Sequence, residues 1–138
     1  MHGSANAWCS PLGYKKYDPT DIERQKWDLE YLTTKLYEKF GTNYTTGSSY
    51  DVIYPAGGSL KDWTYEKLGV TRSYLHELRY LCHLKDSEMS DREKVKCRFQ
   101  PSFKKAEDLI LPEAWFGFKE LIIESFKQDF GMNSFLNK

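Results

Sequence analysis

An α/β fold is predicted by three features of this 138-residue sequence: two helix-period apolar stripes, short branched and aromatic runs between them, and turn-forming glycines at the joins. The opening HGSANAW is short and mostly small, and reads as the end of a strand. From Thr20 to Phe40 the residues Ile22, Leu29, Leu32, Leu36 and Phe40 lie near one stripe, with Asp18-Pro19 as a start signal and Gly41 as a stop. Residues 42–54 are rich in Thr, Tyr, Val and Ile and read as extended segments and loop. The stretch Pro55 to Ser59 forms a turn, and a short helix over Leu60–Leu68 stops at Gly69. Branched and aromatic residues then make Val70–Arg79 a strand. Residues 80–107 are polar and irregular, with the charged tract at 83–98 expected to be a solvated loop. A last helix is predicted from about Pro112 to Phe130, with Trp115, Phe118, Ile122 and Phe126 as its apolar stripe.

The composition narrows the function classes. One domain fits the length, and 40% apolar with 16% aromatic residues is enough for a packed core. Lysine plus arginine matches aspartate plus glutamate, 20 against 20, which removes the electrostatic case for nucleic acid or an anionic membrane as partner. No run approaches the roughly 18–20 apolar residues of a membrane span. The start MHGSANAWCSPLGY has no basic region and no apolar core, so the chain shows no signal peptide. Three cysteines allow at most one internal pair. Cys82 and Cys97 bracket the polar segment and make either a disulfide-tied loop or two free thiols. His76 and His83 form no metal-spaced cluster and read as structural or surface residues, while Asn43-Tyr44-Thr45 is a glycosylation sequon.

One region is more specific. It holds Gly47-Ser48, Ile53-Tyr54, the Gly57-Gly58-Ser59 turn, Asp62-Trp63 and Glu77-Leu78-Arg79 in that order. This series resembles the signature region of the zinc metallocarboxypeptidases of the carboxypeptidase A/B family. Counting back from Tyr54, His2 falls where that family has its third zinc ligand, and Pro11 and Gly13 match its Pro-x-Gly turn. The likeness covers His2 to about Arg79 and resumes weakly over Leu109–Ile122. It implies the C-terminal portion of the mixed-sheet α/β/α metallocarboxypeptidase fold, truncated on its N-terminal side, so that residues 1–138 are a partial peptidase domain with an insertion loop at 80–107.

The resemblance also implies a chemistry: hydrolysis of the C-terminal peptide bond of peptides and proteins, with one zinc ion as cofactor. His2 would be a metal ligand, and Glu77 the catalytic base that takes a proton from water and passes it to the leaving amine. Tyr54 would close over the substrate and bind its terminal carboxylate, and Gly3 and Ser4 would line the substrate path. The family usually has tyrosine where Ser4 stands. Lys61, just before the Asp-Trp pair, would form the floor of the side-chain pocket. A buried ammonium needs a countercharge, so an acidic C-terminal residue is the expected substrate. Ile53, Ala56 and Leu75 would shape the same pocket. The family's other two ligands, a His-x-x-Glu pair, and its substrate-binding arginines have no match here. The isolated chain is therefore expected to be inactive and its parent a secreted enzyme. The alternative is an inactive relative that binds peptide tails or another protein through the same cleft.

Overall fold

The computed structural model describes residues 2–3, 5–16, 20–79, 86–99 and 102–131. Its elements run β1 (His2–Gly3), β2 (Ala7–Ser10), α1 (Ile22–Phe40), β3 (Thr45–Ser48), α2 (Ser49–Val52), α3 (Leu60–Leu68), β4 (Leu75–Leu78), α4 (Asp91–Phe99), α5 (Phe103–Lys105) and α6 (Leu111–Phe130). The four strands make one mixed sheet in the order β1-β4-β2-β3. β1 runs parallel to β4, β4 antiparallel to β2, and β2 parallel to β3. The α/β expectation holds.

The core forms where α1 and α6 meet one face of the sheet. Trp8 of β2 packs with Leu29, Leu32 and Leu36 of α1, all essentially without solvent exposure, and Phe40, Tyr44, Tyr74, Phe116, Phe118 and Leu121 surround them. Each such buried side chain contributes on the order of 1.5–3 kcal/mol of transfer free energy. The α1 stripe is the predicted one. Gly41 ends that helix at φ +65°, donating its N–H to the Tyr37 carbonyl at 2.9 Å, in the left-handed cap that glycine adopts without steric cost.

The stripe on α6 is not the predicted one. Trp115, Ile122 and Phe126 are exposed, Trp115 by 69%, while Glu113, Ala114 and Gly117 are buried and Phe118 is partly so. Small side chains explain the inversion. A Cβ on Gly117 would already lie 3.3 Å from Trp8 Cζ2, so the helix docks through its narrow face.

Three more segments differ from expectation. The strand predicted over Val70–Arg79 shortens to Leu75–Leu78, because residues 71–74 are tied to helices. The Thr71 carbonyl accepts from Gln25 Nε2 at 2.9 Å, Arg72 and Tyr74 both reach Asp28, and Ser73 donates to the Lys61 carbonyl at 2.8 Å. After β3 the chain turns helical over Ser49–Val52, capped by Ser48 Oγ, which accepts from the Asp51 N–H at 3.2 Å. Within the segment expected to be irregular, Asp91–Phe99 is a helix, and its Ser90 hydroxyl and N–H both bond Glu93. Cys82 and His83 lie outside the described residues, and so does the proposed Cys82–Cys97 link.

Glu113 joins three parts of the chain. Its buried carboxylate accepts from Thr42 Oγ1 at 2.9 Å, Tyr44 Oη at 2.6 Å and Arg79 Nη1 at 2.6 Å. Burial, with Glu113 beside it, drives the Tyr44 phenol well above its ordinary pKa. The arginine of the Glu-Leu-Arg motif is thereby committed to holding α6 against the end of β4.

Candidate active site

Strand alternation divides β4 between two environments. His76 points to the α1/α6 side and stacks on Trp8, with ring centroids 3.9 Å apart and planes at 12°. Phe118 meets it edge-on at 5.8 Å. Neither imidazole nitrogen has a hydrogen-bond partner among the described residues, and burial lowers the His76 pKa to about 3. This histidine is a packed, neutral ring, as its isolation in the sequence suggested.

The neighbouring residues face the other way. Leu75 and Glu77 line a cavity of about 240 Å³ together with Ile53, Tyr54, Ala56, Ser49 and Ser59. Glu77 is 6% exposed, whereas Tyr54 is 65% exposed and stands at the mouth on the segment after α2. Five residues expected to share a site therefore share a cavity. At backbone level β1 lies beside β4, with His2 in register with Glu77 and Gly3 with Leu78. Ser4 lies outside the described residues. Ser49 and Ser59 were not expected to line the site; Ser59 belongs to the Gly57-Gly58-Ser59 landmark and Ser49 follows Gly47-Ser48, and that was the available signal.

Lys61 departs from expectation. Its side chain is buried and forms an ion pair with Asp62 Oδ1, and it is not among the residues lining the cavity. The countercharge that burial demands comes from the adjacent residue. Asp62 Oδ2 in turn accepts the Gly13 N–H at 2.8 Å, and the Gly13 carbonyl accepts the Ala56 N–H at 2.7 Å. Asp62 thus locks the Pro-x-Gly turn against the cavity wall and the start of α3. The approach is close: a Cβ on Gly13 would lie 2.8 Å from Ser49 Oγ and 3.0 Å from the Ala56 carbonyl oxygen. Burial raises the Cys9 thiol to about 12, with Lys61 opposing the rise and Glu77 adding to it.

A catalytic zinc needs three protein ligands and an open position. Among the described residues no three His, Cys, Asp or Glu side chains group closely enough to hold a metal ion. His2, the expected ligand, lies in backbone register with Glu77, and the described residues do not by themselves complete a zinc shell.

Comparison with known proteins identifies the family. The model of the zinc carboxypeptidase family matches residues 1–96, and the chain belongs to that family of metallocarboxypeptidase hydrolases. It is 48% identical over 44 residues to a zinc carboxypeptidase of Simulium vittatum, covering 32% of this chain and 14% of the relative. It is 34% identical over 79 residues to human carboxypeptidase O, covering 57% of this chain and 21% of that protein. The fold resembles bovine thrombin-activatable fibrinolysis inhibitor, solved in complex with tick carboxypeptidase inhibitor. There the TM-score is 0.74 at 21% identity, covering 93% of this chain and 38% of that one. The sequence thus spans about a fifth or less of the length of these two curated relatives. Among the described residues, no helix is long and apolar enough to cross a membrane.

Proposed function

We propose that these residues form the base-bearing wall of a secreted carboxypeptidase that removes single residues from the C-terminus of peptides and proteins. One juxtaposition supports this: Glu77 and Tyr54 line the same cavity, and Glu77 lies in register with His2. At about 240 Å³ the cavity is below the roughly 300–1,000 Å³ of drug-sized sites, which suits one terminal residue rather than an extended segment.

In this reading the Glu77 carboxylate takes a proton from the attacking water and delivers it to the departing amine nitrogen. The new C–O bond forms first, making the carbonyl carbon tetrahedral, and the C–N bond breaks as the nitrogen receives the proton. A positioned base of this kind contributes on the order of 10²–10⁴ in rate. The Tyr54 hydroxyl donates to the terminal carboxylate, and its exposed position on a loop with Gly57 and Gly58 nearby suits a side chain that moves onto substrate. Zinc, when bound, supplies Lewis-acid activation, and His2 is this chain's candidate for its shell.

The proposal extends to an acidic C-terminal residue as preferred substrate. It rests on Lys61 as a buried cation directly before the Asp62-Trp63 pair, one that is paired with Asp62 and stands behind the cavity lining. A substrate carboxylate would have to draw the ammonium away from Asp62 to meet it. The test uses peptides ending in Glu, Asp, Phe or Arg, offered to the longest gene product that contains these residues. Release of Glu or Asp should lead and should fall at least tenfold in Lys61→Met. Faster release of Phe or Arg refutes the acidic preference, and peptide binding without release of any residue refutes the enzyme reading.

A further inference from the structure

We infer that Asn43 is an N-glycosylation site, placed so that a glycan stands beside β3, the last strand of the sheet among the described residues. The sequon Asn43-Tyr44-Thr45 is the only Asn-x-Ser/Thr in the chain, and a sequon alone is weak. The structure supplies what the motif lacks. Residues 42–45 alternate between inside and outside: Thr42 is buried and Tyr44 half-buried, whereas Asn43 and Thr45 are exposed. The inward pair is held by one group, since Thr42 and Tyr44 both donate to the Glu113 carboxylate, at 2.9 and 2.6 Å. Thr45 is held at its backbone, donating its N–H to the Asn6 carbonyl at 2.9 Å, so its hydroxyl is not needed for the ladder. Both residues that a glycan-transferring enzyme reads therefore face solvent from a segment whose other side is anchored in the core.

The position also has a physical use. Asn43 precedes β3, which ends the sheet order on the side away from β1. An uncovered strand edge is a template for unwanted pairing, and a bulky hydrophilic group there blocks it. Attachment requires a lipid-diphosphate-linked oligosaccharide as donor. Asn43 Nδ2 bonds to C1 of the first sugar, the C1–O bond to the diphosphate breaks with its electron pair, and Nδ2 loses one proton.

The inference rests on the reading of a secreted protein, and the experiment separates the two. The full chain is expressed in eukaryotic cells behind a secretory leader, recovered from the secretory pathway, and treated with peptide N-glycosidase. The expected result is one glycan per chain, lost in Asn43→Gln and in Thr45→Ala and retained in Thr45→Ser, with aspartate at position 43 after enzymatic release. A chain that carries no glycan, or a glycan that persists in Asn43→Gln, overturns the inference. Because all three variants change exposed side chains, circular dichroism of each should match the parent. Secretion itself is read separately, by fractionating cells that express the natural gene; an intracellular product would sink that reading while leaving the leader-driven result standing.

Discussion

His76 and Glu77 are consecutive residues of one strand with opposite fates. His76 is pressed against Trp8 in a dry aromatic stack, with both ring nitrogens unpartnered among the described residues. Glu77 lies on the other face, in a cavity shared with Tyr54. The same backbone thus carries a chemically reactive residue type silenced by packing and a carboxylate presented to a cleft. Residue type alone would have favoured the histidine as the functional group, and the two-residue period of the strand assigns it otherwise.

The packed face should be the more costly one to disturb. Glu113→Ala would leave Arg79 without its buried partner and strip Thr42 and Tyr44 of their acceptor. A loss of about 3–5 kcal/mol is expected in urea unfolding. A loss below 1 kcal/mol would show that the clamp between α6 and the end of β4 is dispensable.

Acid should distinguish the two faces next. Burial holds the folded pKa of His76 at about 3, below the ordinary histidine value. The unfolded chain therefore binds the proton more readily, and stability declines as pH falls from about 6.5 toward about 3. The slope from this group approaches ~1.4 kcal/mol per pH unit. His76→Phe preserves a ring against Trp8 and should flatten the dependence of the urea midpoint between pH 6.5 and 4. An unchanged slope would mean that this ring is not dry.

A smaller effect is expected on the cavity side. Gly13→Ala introduces a Cβ 2.8 Å from Ser49 Oγ and 3.0 Å from a backbone oxygen, forcing the cavity wall to move. A cost of about 1–3 kcal/mol is expected, with a larger relative loss of peptide binding than of stability. Equal losses in both would make Gly13 a purely structural glycine.

These residues also mark where the sequence was readable. The α1 stripe was legible because Leu29, Leu32 and Leu36 are both periodic and buried. On α6 periodicity was equally clear but offered two stripes. Bulk favours the one with Trp115, Ile122 and Phe126, while packing against Trp8 selects the narrow one with Ala114 and Gly117. The grouping of Ile53, Tyr54, Ala56, Leu75 and Glu77 came from an ordered series of motifs, which carries long-range information that periodicity lacks. The partner of Lys61 was missed because adjacent residues of a helix seldom face each other, and here the lysine and Asp62 pair at the first turn of α3. The Glu113 clamp spans 71 residues to Thr42 and 34 to Arg79, and nothing local announces it.

The central proposal is that Glu77 serves as the catalytic base in the cavity it shares with Tyr54. It is tested by Glu77→Gln in the longest gene product containing these residues, reading kcat on a C-terminal peptide substrate beside the urea midpoint. The account predicts a fall in kcat of about 10²–10⁴ with the midpoint unmoved. Retained kcat, or a midpoint that collapses with the activity, would contradict it.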